Sequence, residues 1–583
     1  MFLRSNKRRK DGKTHRYFSV VENRRVRSGR VVQRQVLFLG EINDSQQAAG
    51  RQTLEVFDEA EQRAATLSLF PEDRAIPADA LDGVQVKLAE MELRRQLGLE
   101  AFWEARLGAG REEVPWAQVL ELLVVSRLVS PGSEFRLHRQ GFDQSAMGDL
   151  LGTGFAVAEK DRLYRCLDRI LEHKAALFAH LRERWQELFQ AHFDVLLYDL
   201  TRTYIEGEGE EIPKAQHGYS RDHRFDCRQV VIALVVTPEG FPLAYELMEG
   251  NTSDRTTLRG FLSKIETQYG RARRVWLMDR GIPTEEVLQE MRAPEREVFY
   301  LVGTPRGKIQ QYEKKWLELP WQKVRESVEV KLFAEEGELY VLAKSAGRRA
   351  KEQAIRRRKL ARLLWKLRDL RRKSPARDQL LLRIGAAKKE AGRAFGLVRM
   401  HLPQEGTAVT RQTFTFQLDK DQLQKAELRD GHYLLRSNLV GEEATVLWEL
   451  YLQLTQIEAA FKILKSELGL RPIYHQLENR VEAHILVAFL AYALSVTLKQ
   501  RLQALAPGLT PRAVLEKLAT IQMLDVCLPT TDGRWLIMPR YTQPEPDQAL
   551  MLHQLHLSLP SQPLPRLKTQ DESVQTVQPQ LKL

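Results

Sequence analysis

Three carboxylates stand where an ionisable group needs a reason. Asp199 follows the apolar run of FDVLLYDLT, Asp279 follows that of RRVWLMD, and a glycine comes after each (Gly207, Gly281). A charge at the end of an apolar strand costs stability unless something uses it. A single such Asp more often bonds the following turn. Two in matching contexts point toward a shared task. Glu458 lies in a helical pattern, with Tyr451 seven residues before it and Lys465 seven after it. Seven residues advance a helix by about 700°, roughly 20° short of two turns. Tyr451, Glu458 and Lys465 are therefore expected on one face, with Lys462 close by. An acid beside a phenol and two ammonium groups can hold a metal ion through the acid and phosphates through the rest. The same Glu-to-Lys spacing also describes an ordinary surface helix, and spacing alone favours that description.

Other candidates read more plainly. Glu206, Asp226 and Asp254 fall in loop or cap positions, and Asp254 fits a helix N-cap. His484 lies within an apolar helix and reads as a satisfied core histidine rather than a ligand.

The elements that must position these groups follow from hydrophobic period. Residues 16–40 alternate as a basic β-hairpin with a Ser28-Gly29 turn, and from about Ala80 to Gln190 apolar residues recur at three and four, as in helices. From FDVLLYDLT to VFYLVG the order is strand, strand, strand, helix, strand, helix, strand, which implies a mixed sheet with flanking helices. Residues 304–445 break that order with further strands and a basic helical stretch over 348–394, interrupted at Ser374-Pro375. Two long helices follow, over 442–470 and 481–502, and a Pro- and Gln-rich tail whose last 25 or so residues have a disordered composition. The expected domains are 1–75 (basic hairpin region), 76–190 (helical), 191–303 and 446–505 (two parts of one core), 304–445 (α+β insert) and 506–583 (C-terminal region).

The chain has 583 residues, 43% hydrophobic and 28% charged, ordinary globular usage that excludes global disorder and fibrous repeats. Three well-separated cysteines, Cys166, Cys227 and Cys527, argue against a disulfide framework or zinc ribbon and fit a reducing, cytoplasmic setting. The N-terminal charge has no apolar stretch behind it, unlike a signal peptide. The longest uncharged apolar run, Ile485 to Leu498, has 14 residues, too few to span a bilayer. The net charge of +12 is concentrated: residues 1–36 carry +10 and residues 348–373 carry +11. Two such patches fit a polyanion better than a membrane surface, though a solvated face has the same composition. In the second patch Leu360, Leu363, Leu367 and Leu370 form one stripe. Arg358, Arg362, Lys366 and Lys373 lie away from it, as DNA-contacting residues would.

Four strings occur in order: YDLTRTYIEG, then HGYSRDHRFDCRQVVIALVVTPEGFPLAYELMEGNTSDRTTL, then VWLMDRG, then YLQLTQIEAAFKILKSELGLRPIYHQLENRVEAHILVAFLAYAL. In these the chain resembles the DDE transposases of bacterial insertion sequences, in the branch with a Tyr-Arg-Glu-Lys signature and a β-rich insert before the third acid. The likeness runs from about residue 190 to 500, and a weaker one covers the N-terminal hairpin and helices, including VSRLVSPGSEF. The resemblance implies an α/β fold: an RNase H-like mixed-sheet core interrupted by an α+β insert, with an N-terminal β-hairpin and helical region. It makes Asp199, Asp279 and Glu458 the catalytic, metal-holding acids, and Tyr451 and Lys465 the DNA-contacting signature residues. The signature Arg position holds Leu454, a departure that removes one phosphate contact; Lys462 and Arg471 are candidates to replace it. The implied reaction is metal-dependent hydrolysis of a DNA phosphodiester, then joining of the freed 3′-hydroxyl to target DNA. Two Mg²⁺ ions, with Mn²⁺ as an alternative, would be held with Asp199 between them and Asp279 and Glu458 on one each. The implied partners are the element's ends, target DNA and a second copy in a homodimer. Relatives flip a base onto an aromatic residue; Trp316 and Trp321 are candidates here, with ordinary packing the commoner role. An RNase H-like nuclease without strand transfer, or a DNA-binding protein without catalysis, are the alternatives.

Overall fold

A computed structural model describes residues 2–10, 13–25, 31–41, 53–58, 63–68, 81–85, 89–108, 114–145, 147–151, 153–218, 222, 224–270, 272–293, 298–304, 319–335, 337–529, 534–559 and 565–568. The basic N-terminus forms three antiparallel strands, β1 (Phe2–Lys10), β2 (Lys13–Arg25) and β3 (Val31–Glu41). The expected hairpin is β2–β3; its Ser28-Gly29 turn lies outside the described residues. Strand β1, FLRSNKRRK, has almost no apolar alternation, and only its pairing with β2 defines it.

Strands β4 (Thr53–Asp58), β5 (Arg63–Ser68) and β6 (Leu81–Gln85) come next, then helices α1 (Ala89–Gln96), α2 (Leu99–Leu107), α3 (Trp116–Val129), α4 (Lys160–Ile170) and α5 (Lys174–Phe189). Helical structure thus begins at Ala89, not at Ala80. The sequence then alternates as anticipated: β7 (Val195–Tyr204), β8 (Gln229–Val236), β9 (Pro242–Glu249), α6 (Leu258–Tyr269), β10 (Arg274–Met278), α7 (Glu285–Met291) and β11 (Val298–Thr304). Strands β12 (Gln322–Arg325), β13 (Val328–Glu335) and β14 (Glu338–Ser345) lead into α8 (Ala346–Lys373) and α9 (Arg377–Ala391). After β15 (Val398–His401), β16 (Thr415–Leu418), α10 (Lys420–Leu428) and β17 (His432–Ser437) come the long helices α11 (Ala444–Lys462) and α12 (Glu478–Leu505). The chain closes with α13 (Pro511–Leu518), β18 (Gln522–Pro529), β19 (Trp535–Tyr541), α14 (Pro546–Gln554) and β20 (Arg566–Lys568).

Two compact units divide the chain, and both β7 and α11 run through the division. The first comprises Met1–His192, Leu200–Thr252 and Glu458–Leu583; the second comprises Phe193–Asp199 and Ser253–Ile457.

The first unit is organised around α12. Its residues from Ile485 to Leu498 are buried on every side, as expected of a helix apolar all round. It is long and apolar enough to cross a membrane, but it is packed inside the protein. Helices α3 and α4 pack on it, Trp185 Nε1 donates to Thr497 Oγ1 at 3.0 Å, and Tyr492 OH donates to the Gly240 carbonyl at 2.9 Å. A six-stranded sheet in the order β5-β4-β20-β19-β18-β6 joins both ends of the sequence. Residues 566–568, within the tail of disordered composition, are one of its strands, because pairing with β19 and β4 supplies order that composition does not show.

In the second unit the strands run β12-β13-β14-β17-β11-β10-β7. Strands β7, β10 and β11 are parallel, and β17, β14, β13 and β12 extend them antiparallel. The strands of residues 322–345 and 432–437 thus prolong the same sheet rather than forming a separate insert sheet. A buried charge cluster fastens this extension. Arg436 Nε lies 2.5 Å from Glu338 Oε2, Arg292 Nη1 lies 2.7 Å from Glu338 Oε1, and Arg436 also reaches Glu285 on α7. Helices α8 and α9 pair through Leu360, Leu363, Leu367, Leu370, Leu380 and Ile384, so the leucine stripe read from the sequence is the buried one.

Candidate active site

Parallel pairing decides where the first two acids lie. Tyr198 of β7 is opposite Met278 of β10, so Asp199 and Asp279, each one residue further on, are neighbours across the two strands; Asp279 lies just past β10, but Asp199 is the fifth of the ten residues of β7 and not near its end as expected. Neighbouring strands are about 4.8 Å apart. Asp199 is half-buried and Asp279 exposed. After Asp279 the chain turns through Gly281 at φ +90°, a conformation that suits glycine. On the other side of β10, Gly303 of β11 lies close to the turn after this acid: a Cβ there would stand 3.2 Å from Arg280 N, a tight approach, and 3.5 Å from Asp279 Oδ1, an ordinary contact.

The surroundings of Tyr198 report the charge beside it. Its hydroxyl donates to Thr257 Oγ1 at 2.8 Å, and Thr257 donates to the Asp254 carbonyl at 2.9 Å. Burial raises the Tyr198 phenol above its ordinary range, and the charges of Asp199 and Asp254 add to that rise. Asp254 is the first residue of a short 3₁₀ turn, Asp254–Thr256, and Ser253 occupies the cap position expected for it.

Tyr451 stands on α11 within a cluster of rings. Its ring centroid is 5.7 Å from Tyr433 on β17 and 5.6 Å from buried Trp448. Arg348, at the start of α8, lies over the Tyr433 ring at 4.0 Å and bonds Glu352 at 2.8 Å. Burial pushes the Tyr451 phenol up to about 12, Tyr433 and Asp279 reinforce the shift, and Arg348 and Arg280 oppose it. Tyr451 is thus protonated at neutral pH and within electrostatic reach of Asp279. Leu454, half-buried, offers no charge.

Glu458 is exposed on the same helix, two turns beyond Tyr451, and Lys462 is exposed one turn further. The regular helix ends at Lys462. Residues Ile463–Glu467 form a π turn, closed by Leu468 N to Ile463 O at 2.9 Å. A wider turn advances each residue by less than 100°. Lys465, half-buried, is therefore set back from the line through Tyr451 and Glu458 that an uninterrupted helix over 442–470 implied. Arg471, the other candidate to replace the signature Arg, forms an ion pair with Asp222.

The remaining sequence candidates separate. Arg224 bridges Glu206 (2.7 Å) and Asp226 (2.9 Å), and its hydrogen bond brings the Asp226 carboxyl down to about 2. Trp321 packs with Leu319 and Phe333 against Tyr340, Leu342 and Leu434, with the ammonium of Lys331 4.8 Å from its ring, so it is a packing residue. Trp316 lies outside the described residues. On α8, Arg358 is exposed, but Lys366 lies 2.5 Å and Arg362 3.5 Å from Glu390 of α9, so two of the three expected DNA contacts have acidic neighbours.

A second polar cluster was not anticipated. Buried Glu134, His475 and His484 bring one ligand-type atom each within 4.8 Å of one another, in the first unit. Arg127 Nη2 stands 3.3 Å from both Glu134 Oε1 and His484 Nδ1, while His484 Nε2 faces the Leu470 carbonyl at 3.3 Å. His484 therefore accepts from Arg127 and donates to Leu470, which fits a neutral ring. Burial, then the charge of Arg127, push its imidazole down to about 4. Burial works against the Glu134 anion, but its interactions with His475 and His484 and the charge of Arg127 outweigh it and hold the carboxyl well below its usual range. His475 Nε2 is 3.3 Å from Glu134 Oε2. With a guanidinium among its donors the cluster is balanced without a metal. His484 was legible as a core histidine. Arg127 and Glu134 lie some 340 residues away in sequence, inside VSRLVSPGSEF, and no spacing rule links them.

Comparison with known proteins gives this geometry a class. The family profile described as "Transposase DDE domain" matches residues 191–494, the span from β7 to within α12. The profile described as "IS1634 family transposase, N-terminal domain" matches residues 3–66. The chain belongs to the DDE transposases of insertion sequences and is a DDE-type DNA transposase. Such enzymes depend on a divalent metal, generally Mg²⁺. No curated protein matches the chain. A solved piggyBac transposase synaptic complex with hairpin DNA aligns over 73% of this chain and 75% of that chain, at 8% identity and a TM-score of 0.36, a likeness too slight to define the fold.

Proposed function

We propose that the chain cuts and joins the ends of an insertion sequence by phosphodiester hydrolysis followed by strand transfer. Asp199, Asp279 and Glu458 are its metal-holding acids, in an RNase H-like core of the Tyr-Arg-Glu-Lys branch. The observation that carries this reading is the parallel register of β7 and β10, which pairs Tyr198 with Met278, the residues just before Asp199 and Asp279. Glu458 is the third acid: it lies on the helix that carries Tyr451, whose phenol senses the Asp279 charge.

The donors fit a hard divalent cation, since they are carboxylates and Asp279 is exposed. Mg²⁺, as two ions with Mn²⁺ as an alternative, supplies Lewis-acid activation of the entering oxygen and stabilisation of the leaving one. The chain's own residues orient the DNA. Tyr451, kept protonated, donates to a phosphate oxygen, and Lys462 and Lys465 hold phosphates beside the cut. In this reading residues 191–303 and 446–505 carry catalysis and 304–445 form the insert. The partners are the element's ends and target DNA, gripped by a homodimer in the cytoplasm.

The test is Asp199→Asn. The amide keeps the side chain's shape but cannot neutralise a metal. Nicking of end DNA should fall to background while gel-shift affinity stays within about threefold of the parent. Undiminished nicking removes Asp199 from the mechanism. Nicking by the parent without joined product would mark a nuclease instead of a transposase.

A further inference from the structure

Helix α11 carries Tyr451 but no Lys, Arg or His before Lys462. The position one turn after Tyr451, where a side chain would stand beside the phenol, holds half-buried Leu454. A phosphate that accepts from Tyr451 therefore meets no positive charge on the neighbouring turns of this helix. It also comes within reach of the Asp279 charge, which already acts on that phenol. Like charges brought together in this way need a cation from another element.

The start of α8 supplies one. Strands β14 and β17 pair with Ala343 opposite Tyr433, and Ser345 N donates to Gly431 O at 2.9 Å. Gly431, at φ +77°, permits this approach: a Cβ there would stand 2.6 Å from the Ser345 carbonyl oxygen. Arg348 in the first turn of α8 is thereby set over the Tyr433 ring, 4.0 Å from its centroid, and that ring is 5.7 Å from Tyr451. The guanidinium is held in place. Its Nε donates to Glu352 Oε1 at 2.8 Å, while Glu352 Oε2 accepts from the Gly431 amide at 3.0 Å. Tyr433 takes a further bond. A guanidinium has five donors, more than these two partners use. Among the described residues no second carboxylate pairs with Arg348, and its side chain is 36% exposed. Its charge opposes the upward shift of the Tyr451 phenol, as expected of a cation close to that hydroxyl. Arg280 has the same effect, but it lies exposed on the turn after β10, where no ion pair fixes it among the described residues.

We infer that Arg348 holds a DNA phosphate beside the one that accepts from Tyr451, so that the first turn of α8 completes a contact that α11 makes only in part. This rests on the reading of Tyr451 and the three acids given above, and it adds to that site a cation from a different element. The stacking on Tyr433 and the bond to Glu352 fix the guanidinium before DNA arrives, so little side-chain freedom is lost on binding.

The test uses the full chain with Mg²⁺ and a set of end duplexes, each carrying one uncharged methylphosphonate near the cut. Arg348→Gln should slow nicking of the unmodified duplex by about tenfold or more, and Arg348→Lys by much less. In the parent, a methylphosphonate at one position should slow nicking by a similar factor. In Arg348→Gln the same methylphosphonate should cost less than about threefold more, because the contact is already gone, while losses at distant positions multiply. Tyr451→Phe should show the same non-additivity at an adjoining phosphate. Nicking by Arg348→Gln at the parent's rate overturns the inference. Losses that multiply at every position also overturn it, since Arg348 would then only brace α8 against β17. A parent that tolerates every methylphosphonate overturns it without recourse to a variant. A parent that fails to nick the unmodified duplex overturns the transposition reading and this inference with it, whereas a parent that nicks without coupling to Arg348 overturns the inference alone.

Discussion

Inside β7 Asp199 is half-buried, and just past β10 Asp279 is exposed. Glu134, by contrast, is sealed in the first unit among Arg127, His475 and His484. Donor types alone would rank the second cluster as the better metal site, since it holds two imidazoles and a carboxylate. Surroundings reverse the ranking. A guanidinium already bonds Glu134 and His484 inside the protein, while Asp199 is half-buried and Asp279 exposed. Burial and an internal guanidinium distinguish the Glu134 cluster more sharply than residue identity does.

The comparison breaks most easily through stability. Glu134→Gln leaves Arg127 buried without its counter-ion and should cost about 3–5 kcal/mol in chemical denaturation. Replacing both partners with apolar residues of similar volume should cost less than that single change. A chelator should abolish nicking and leave the melting temperature unmoved. A chelator that lowers the melting temperature as much as Glu134→Gln does would make the buried cluster a metal site.

Acid titration should sharpen the same contrast with a smaller effect. His484 has a folded value of about 4 against an ordinary 6.5, so the unfolded chain takes up its proton first. The stability it contributes by staying neutral is complete above about 6.5 and is lost as pH falls toward about 4. Glu134, held below its usual range, loses its contribution in the same direction at still lower pH. Between pH 7 and 5 the chain should lose about 2 kcal/mol, and His484→Gln should flatten that slope. A parent with no pH dependence over this interval contradicts the neutral, buried assignment.

The smallest effect belongs to α8. Changing Arg358, Arg362 and Lys366 together to Gln removes three cations, but Glu390 already neighbours two of them. The slope of log affinity for duplex DNA against log salt should fall by about one unit, not by the nearly three expected of three unpaired contacts. A fall of nearly three would mean that both basic side chains leave Glu390 for phosphate.

Much of this molecule was legible in its sequence, for identifiable reasons. Period-two and period-3.6 patterns placed β7 to β11, the α8 stripe and α12, because each buries a continuous apolar face. Asp199 and Asp279 stood out because each interrupts an apolar run; Asp279 does follow its strand, but β7 continues past Asp199 to Tyr204. What escaped notice depends on partners distant in sequence. β1 and β20 have no apolar signal of their own and exist by pairing. Strand β17 joins β11 to β14 across some 130 residues, so the insert's strands read as separate. The Glu134 network assembles four side chains from three stretches of chain, and the π turn at Ile463–Glu467 has no residue type that announces it.

The most direct test of the central claim replaces Mg²⁺ with Fe²⁺ and lets peroxide and ascorbate generate radicals at the bound ion. These cut the polypeptide beside whichever residues hold the metal. Fragments should map to the chain near Asp199, Asp279 and Glu458, and excess Mg²⁺ should suppress them. Cuts beside Glu134, His475 and His484 instead, or none near Glu458, would contradict the assignment of the three acids.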